Sequence, residues 1–287
     1  MRRAAGGWRA QRRRQAWGRR ALLAGCVLAL TAPLVWTMLA SFEIKPEGRP
    51  WPPRWTLPPS ADSYVEVMTR IPGFPRVFGT SLLLATTATV LTIGAAFLAA
   101  YSLARWRFRW RRLVAQGFLV LASLPVMAYV IPLSDLTRRI HLRDTFAGVA
   151  LASAAAYAPL AVYILFGYLM QVPRSLEEVA HLEGAGVLQV VWGVVLPAAA
   201  PGLAATAVLV FVIDWNLFLV PTALSLSHVK TIPVALSDFY TYERELEWSN
   251  AAAALVVSLL PVAALAACAH RLLERFSLSP TSEDASP

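Results

Sequence analysis

Four ionisable side chains, Glu177, Glu178, His181 and Glu183, fall within seven residues and run directly into Gly184, in a chain whose flanking segments are almost wholly apolar. Carboxylates beside an imidazole could hold a metal or move a proton, but the other histidines, at 141, 228 and 270, and the two cysteines, Cys26 and Cys268, show no ligand spacing. No nucleophile, base and orienter set occurs. Nor is there a glycine-rich phosphate loop closed by Lys-Ser or Lys-Thr, so the chain is not expected to bind ATP in the usual way. A second candidate is Asp214, inside an apolar run beside Trp215 and Asn216. An acid at membrane depth is costly unless it faces protein or water, which marks it as functional unless it is solvated at an interface. Tyr157, Tyr163, Trp192 and Trp215 offer aromatic faces of the kind that stack on sugars, or else pack the interior.

The cluster needs a helix to position it. Ser175-Leu176-Glu177-Glu178 reads as a capping box, with the Ser175 hydroxyl accepting from the Glu178 N–H and the Glu178 carboxylate reaching back to Ser175. In the short helix that follows, Leu176, Val179, Ala180 and Leu182 gather toward one side, and Glu177, Glu178 and His181 leave a polar face. Gly184 suits a left-handed helix end. Ala180, Gly184, Ala185 and Gly186 leave a surface with little side-chain bulk. A second apolar segment, Val187–Leu196, then meets Pro197 and Pro201, which should stop or kink it.

The rest of the chain is membrane. Of 287 residues 57% are hydrophobic and only 15% charged, with a mean hydropathy of +0.54, too apolar for a soluble domain of this size. The net charge of +9 comes from arginines at the ends of apolar runs, which argues for membrane orientation rather than nucleic-acid binding. Six spans are expected: 21–42, 76–103, 113–133 broken by Pro125 and closed by Pro132, 145–170, 202–220 and 251–272. The first is read as an uncleaved helix preceded by a basic arm at 1–20, which can touch anionic headgroups. A Pro- and Trp-rich loop at 43–75 should be external, with a short amphipathic helix near Asp62–Arg70. The permease-like body spans 76–275, with the charged loop at 171–201, and a polar tail at 276–287 reads as disordered. Arg2 to Arg20, the five arginines of 105–112, Arg174, Arg271 and Arg275 then lie on one side. This exceeds the basic residues of the other loops, although Arg138, Arg139 and Arg143 run against the bias, and it places both termini in the cytoplasm.

Glu178-Val179-Ala180, three residues, Gly184, nine residues, Val194-x-Leu196-Pro197 resembles the E-A-A-x3-G-x9-I-x-L-P signature of inner-membrane permease subunits of binding-protein-dependent ABC importers. Val179 stands for the first Ala and Glu183 for the Asp that often precedes the Gly. The resemblance covers 76–275 and is nearest the sugar branch, like the maltose permeases. It rests there on the loop, the short basic arm and the Trp215-Asn216 pair, although an acid usually follows that pair and here Asp214 precedes it. The tail of that branch, Gly-rich and ending in Lys, is replaced by 277–287.

The resemblance implies an all-α polytopic membrane protein of the type I importer permease fold, with six transmembrane helices and a cytoplasmic coupling helix between the fourth and fifth. It implies that Glu177, Glu178, Ala180, Gly184, Ala185, Leu196 and Pro197 couple to a separate ATPase, which would bind the ATP and Mg while this chain binds no cofactor. The other partners implied are a second permease subunit, an external solute-binding protein and membrane lipid. Asp214, Trp215, Asn216, Tyr157 and Tyr163 are candidates for the solute path. The same loop fits an importer of a polyamine, peptide or polyol phosphate. An ion-coupled secondary transporter would need buried ionisable groups beyond Asp214, and a non-transporting scaffold leaves the spacing of Glu178 and Gly184 unexplained.

Overall fold

The computed structural model describes residues 2–44, 46–47, 54–55, 58–69, 73–106, 108–225, 228–237 and 248–277. Apart from a two-residue antiparallel pair, Pro46–Glu47 with Arg54–Trp55, every regular element described is helical. Among the described residues five stretches are long and apolar enough to cross a membrane, and a bent helix pair makes a sixth if counted as one broken span. The chain divides into two units, residues 1–72 with 242–257, and 73–241 with 258–287.

In the smaller unit, α1 (Arg2–Ser41) joins the basic arm and the first span in one continuous helix, its apolar part running from Trp17 to Ser41. The helix ends in a turn with Glu43 at φ 62°, and the following segment folds back onto it. The Ser41 and Tyr64 hydroxyls lie 2.7 Å apart and Ser63 donates to Glu43 at 2.9 Å. Tyr64 belongs to α2 (Asp62–Thr69), the short helix expected in the loop. The Pro50–Pro53 run and the tail after Ser277 lie outside the described residues.

The larger unit is built on α3 (Phe74–Arg105), which packs along α6 (Phe146–Leu169) and against α9 (Leu196–Trp215). Small residues make this possible. Ala96, Ala100 and Ala104 of α3 are buried in one cluster with Ala161, Leu165 and Leu169 of α6, and alanine lets two membrane helices approach closely where lipid supplies no hydrophobic drive between them. α6 begins as expected at Thr145, whose hydroxyl accepts from the Gly148 N–H at 3.0 Å.

Two spans differ from the sequence reading. The third is α4 (Arg111–Ala122) and α5 (Val126–Arg139), bent by 91°. Pro125, the extended N-cap of α5 with ψ 140°, makes the break, whereas Pro132 sits inside α5 and does not close it. The fifth does not start at Gly202. Helix α7 (Ser175–Leu182) is followed by α8 (Val187–Val190), a π turn at Val191–Val195 and then α9, so Val187–Trp215 is one apolar stretch. Pro197 lies two residues past the π turn in a helix that runs unbroken from Val187, and Pro201 lies inside α9. The chain continues through α10 (Leu219–Leu224) and α11 (Ile232–Ser237) to α12 (Trp248–Ser277).

Gly148 is where this packing tolerates least. A Cβ there would run into the backbone carbonyl of Leu142, which unlike a side-chain tip cannot step aside. Gly148→Ala is expected to destabilise the purified protein by about 1–3 kcal/mol, read as a fall in its thermal unfolding midpoint in detergent.

Candidate functional site

α3 and α6 end at the same level, and each end leaves backbone carbonyls without an intrahelical donor. Two arginines satisfy them crosswise. Arg105, in the last turn of α3, donates from Nη1 to the carbonyl of Leu169 at 3.0 Å and from Nη2 to that of Val172 at 3.4 Å. Arg174, just after α6, donates from Nη2 to the carbonyls of Ala104 at 2.8 Å and Arg105 at 3.2 Å.

This leaves the Arg105 charge largely buried, and Glu177 answers it. Its carboxylate pairs with Arg105 Nε and accepts from the Tyr101 hydroxyl at 3.1 Å, with both charged side chains 11% exposed. Glu177 is thus the internal anchor of α7. Ala180, one turn on, is buried in the cluster of α3 and α6, so this helix is held by a carboxylate and a methyl group.

The opposite side of α7 is apolar and exposed. Leu176, Val179 and Leu182 point outward, Leu182 at 88% exposure. The helix is amphipathic as the sequence suggests, but Ala180 lies on the inner side and the larger apolar residues face away. The capping box is not formed: Arg174 is the N-cap, already in helical conformation, and the Glu178 N–H bonds to the Arg174 carbonyl at 3.0 Å. Ser175 is inside the first turn and so lacks the extended backbone that a side-chain cap needs.

The far end follows the sequence closely. Gly184 has φ 90°, its N–H bonds to the His181 carbonyl at 3.0 Å, and the Ala185 N–H bonds to the Ala180 carbonyl at 3.0 Å, the paired reversal of a Schellman motif. A Cβ on Gly184 would meet nothing, so its backbone conformation rather than crowding is what calls for glycine. The Gln189 side chain accepts from the Gly186 N–H at 2.8 Å and starts α8.

The description of the binding-protein-dependent transport system inner membrane component matches residues 92–277, which include α7 and the helices that hold it. The chain belongs to this family. It is a permease subunit of an ABC importer. It is 28% identical over 236 residues to the trehalose/maltose transport system permease protein MalG of Thermococcus litoralis, covering 82% of this chain and 84% of that one. It is likewise 28% identical over 235 residues to the sulfoquinovosyl glycerol transport system permease protein SmoH of Agrobacterium fabrum, covering 81% and 82%. A crystallised bacterial ABC transporter involved in import of the acidic polysaccharide alginate has a chain of the same fold, with a TM-score of 0.73 at 20% identity over 88% of this chain and 94% of that one.

Asp214, Trp215, Asn216, Tyr157 and Tyr163 supply none of the bonds of this clamp. Asp214, near the end of α9, is 6% exposed, and neither of its carboxylate oxygens has a hydrogen-bond partner among the described residues. The Thr89 hydroxyl of α3 faces this carboxylate, and Tyr157 of α6 lies within its electrostatic reach. Trp215 is turned into the packing: its indole N–H donates to the Ser258 carbonyl at 3.1 Å, and its ring stacks on Phe211 and meets Phe78 edge-on. Asn216 is exposed and donates to the Val212 carbonyl of its own helix at 2.8 Å. Tyr163 is half-buried on α6, and Trp192 is exposed at the π turn. Leu196 is half-buried and Pro197 exposed.

Sequence reading missed Tyr101, Arg105 and Arg174 as parts of the site. The available signal was an arginine in the last turn of one span and another just past the next, where cations suit exposed carbonyls.

The clamp sets a stability test. Glu177→Ala or Arg105→Met, each leaving one buried charge alone, should cost about 3–5 kcal/mol, whereas Glu177→Met with Arg105→Met should recover much of that loss. Thermal unfolding of the three variants, with limited proteolysis at 171–186, measures both; additive losses in the double variant would exclude the coupling.

Proposed function

We propose that this permease forms part of a carbohydrate path and is driven through α7 by a separate ATP-hydrolysing subunit, with both termini in the cytoplasm. The observation that carries this reading is the outward stripe of Leu176, Val179 and Leu182 on a helix fixed from beneath by Glu177 and Ala180. A segment with Glu178, His181 and Glu183 on its surface does not enter hydrocarbon, so the stripe suits a protein groove. Glu178, exposed beside Val179, is placed to meet a basic side chain of that partner. ATP and Mg belong to the ATPase, and this chain needs no cofactor of its own. A second permease subunit and an external solute-binding protein complete the assembly, in keeping with the solved alginate importer in complex with a pentasaccharide-bound periplasmic protein.

A carbohydrate cargo is supported by the trehalose/maltose and sulfoquinovosyl glycerol relatives. Within this chain the buried carboxylate of Asp214 and the Tyr157 hydroxyl supply groups suited to sugar hydroxyls.

Two experiments follow. Leu182→Asp and Glu178→Arg should each leave the permease inserted but reduce co-purification of the ATPase about tenfold or more, since burying one leucine is worth about 1.5–3 kcal/mol. If both variants hold the ATPase and transport at the unmutated rate, α7 is not the coupling helix. Asp214→Asn should keep the complex assembled and shift the concentration dependence of sugar uptake. Identical uptake curves would remove Asp214 from the path.

A further inference from the structure

An open groove of about 510 Å³ lies between the start of α4 and the end of α6, lined by Phe108, Arg111, Met170 and Arg174. The two arginines come from different segments and are both partly buried. Arg174 uses Nη2 on the α3 carbonyls, and its other donors have no protein acceptor among the described residues. Arg111 has no acidic partner there either, and Glu177 is already engaged by Arg105. No side chain caps α4 at Trp110, so the first-turn N–H groups of a 12-residue helix add to the positive potential.

The surroundings point to the source of an anion. Phe108 on the groove and its sequence neighbours Trp106 and Trp110 are exposed, and the Arg109 guanidinium lies 5.4 Å from the centre of the Trp110 ring. Exposed aromatics interleaved with arginine mark the level of lipid headgroups. Beyond them α4 exposes Leu113, Val114, Val120 and Leu121.

We propose that this groove binds the phosphate of an anionic phospholipid, held by Arg111 and Arg174 with its acyl chains along α4. A guanidinium fork matches phosphate oxygens, and an apolar helix face starting at the same point accommodates the tails. A soluble phosphate shares the headgroup chemistry but has no use for that face. Because Arg174 also caps α3, the bound lipid and the α7 clamp share a side chain.

The test uses the assembled transporter, unmutated or with Arg111→Gln or Arg111→Lys, in phosphatidylcholine nanodiscs with or without phosphatidylglycerol. Native mass spectrometry counts retained phosphatidylglycerol, and the thermal midpoint is read in each lipid. The unmutated complex should bind phosphatidylglycerol about fivefold more tightly than Arg111→Gln. Arg111→Lys should keep most of that binding, and sugar uptake in pure phosphatidylcholine should be the same for all three. Equal retention by the unmutated protein and Arg111→Gln would overturn the site. Stabilisation by inorganic phosphate in phosphatidylcholine, without preference for phosphatidylglycerol, would overturn the lipid assignment. Loss of the ATPase from Arg111→Gln in phosphatidylcholine would give the groove to a protein carboxylate and likewise overturn it.

Discussion

The buried pair of Arg105 and Glu177 is the constraint on which the placement of α7 depends, and its logic starts with the backbone. Two apolar helices ending side by side need donors for their last carbonyls, and a guanidinium supplies several from a fixed fork. Bringing that charge out of water requires a carboxylate at short range, and Glu177 reaches it only if α7 lies across the ends of α3 and α6. The position of α7 is therefore an electrostatic consequence of how two other helices end. Its apolar residues face outward because the inner side is already taken by Glu177 and Ala180.

Much of this was legible in the sequence. The Glu178–Gly184–Pro197 spacing located the segment, and Gly184 foretold the left-handed backbone that ends α7. The amphipathic pattern identified the helix, but Ala180 lies on the inner side, apart from Leu176, Val179 and Leu182, which face outward. The capping box failed because Arg174, the N-cap, is already in helical conformation, which puts Ser175 inside the first turn. Pro197 and Pro201 are expected to stop or kink the segment, and the helix runs on through both, with a π turn just before Pro197. Arg105 was legible only as an interfacial charge, since no local pattern links it to an acid so far along the chain.

The clamp and the rest of the bundle are stitched by different means. Around α7 the links are charged and directional, joining it to α3 and α6 through Arg105 and Arg174. Farther along, contact between α3, α6 and α9 rests on alanine, valine and glycine, which pack closely and impose few directions. The connection of α7 to α9 passes through the reversal at Gly184 and then the π turn.

That π turn has a further consequence for the register of the chain. Compared with an α-helix it takes in one extra residue per turn, so side chains before it are rotated by about 100° relative to those after it. The rotation lets Val190, Val191, Val195 and Ala199 all remain in the buried stripe although α8 and α9 are not in phase. The turn thus sets the phase between the segment that follows Gly184 and the acid-bearing end of α9.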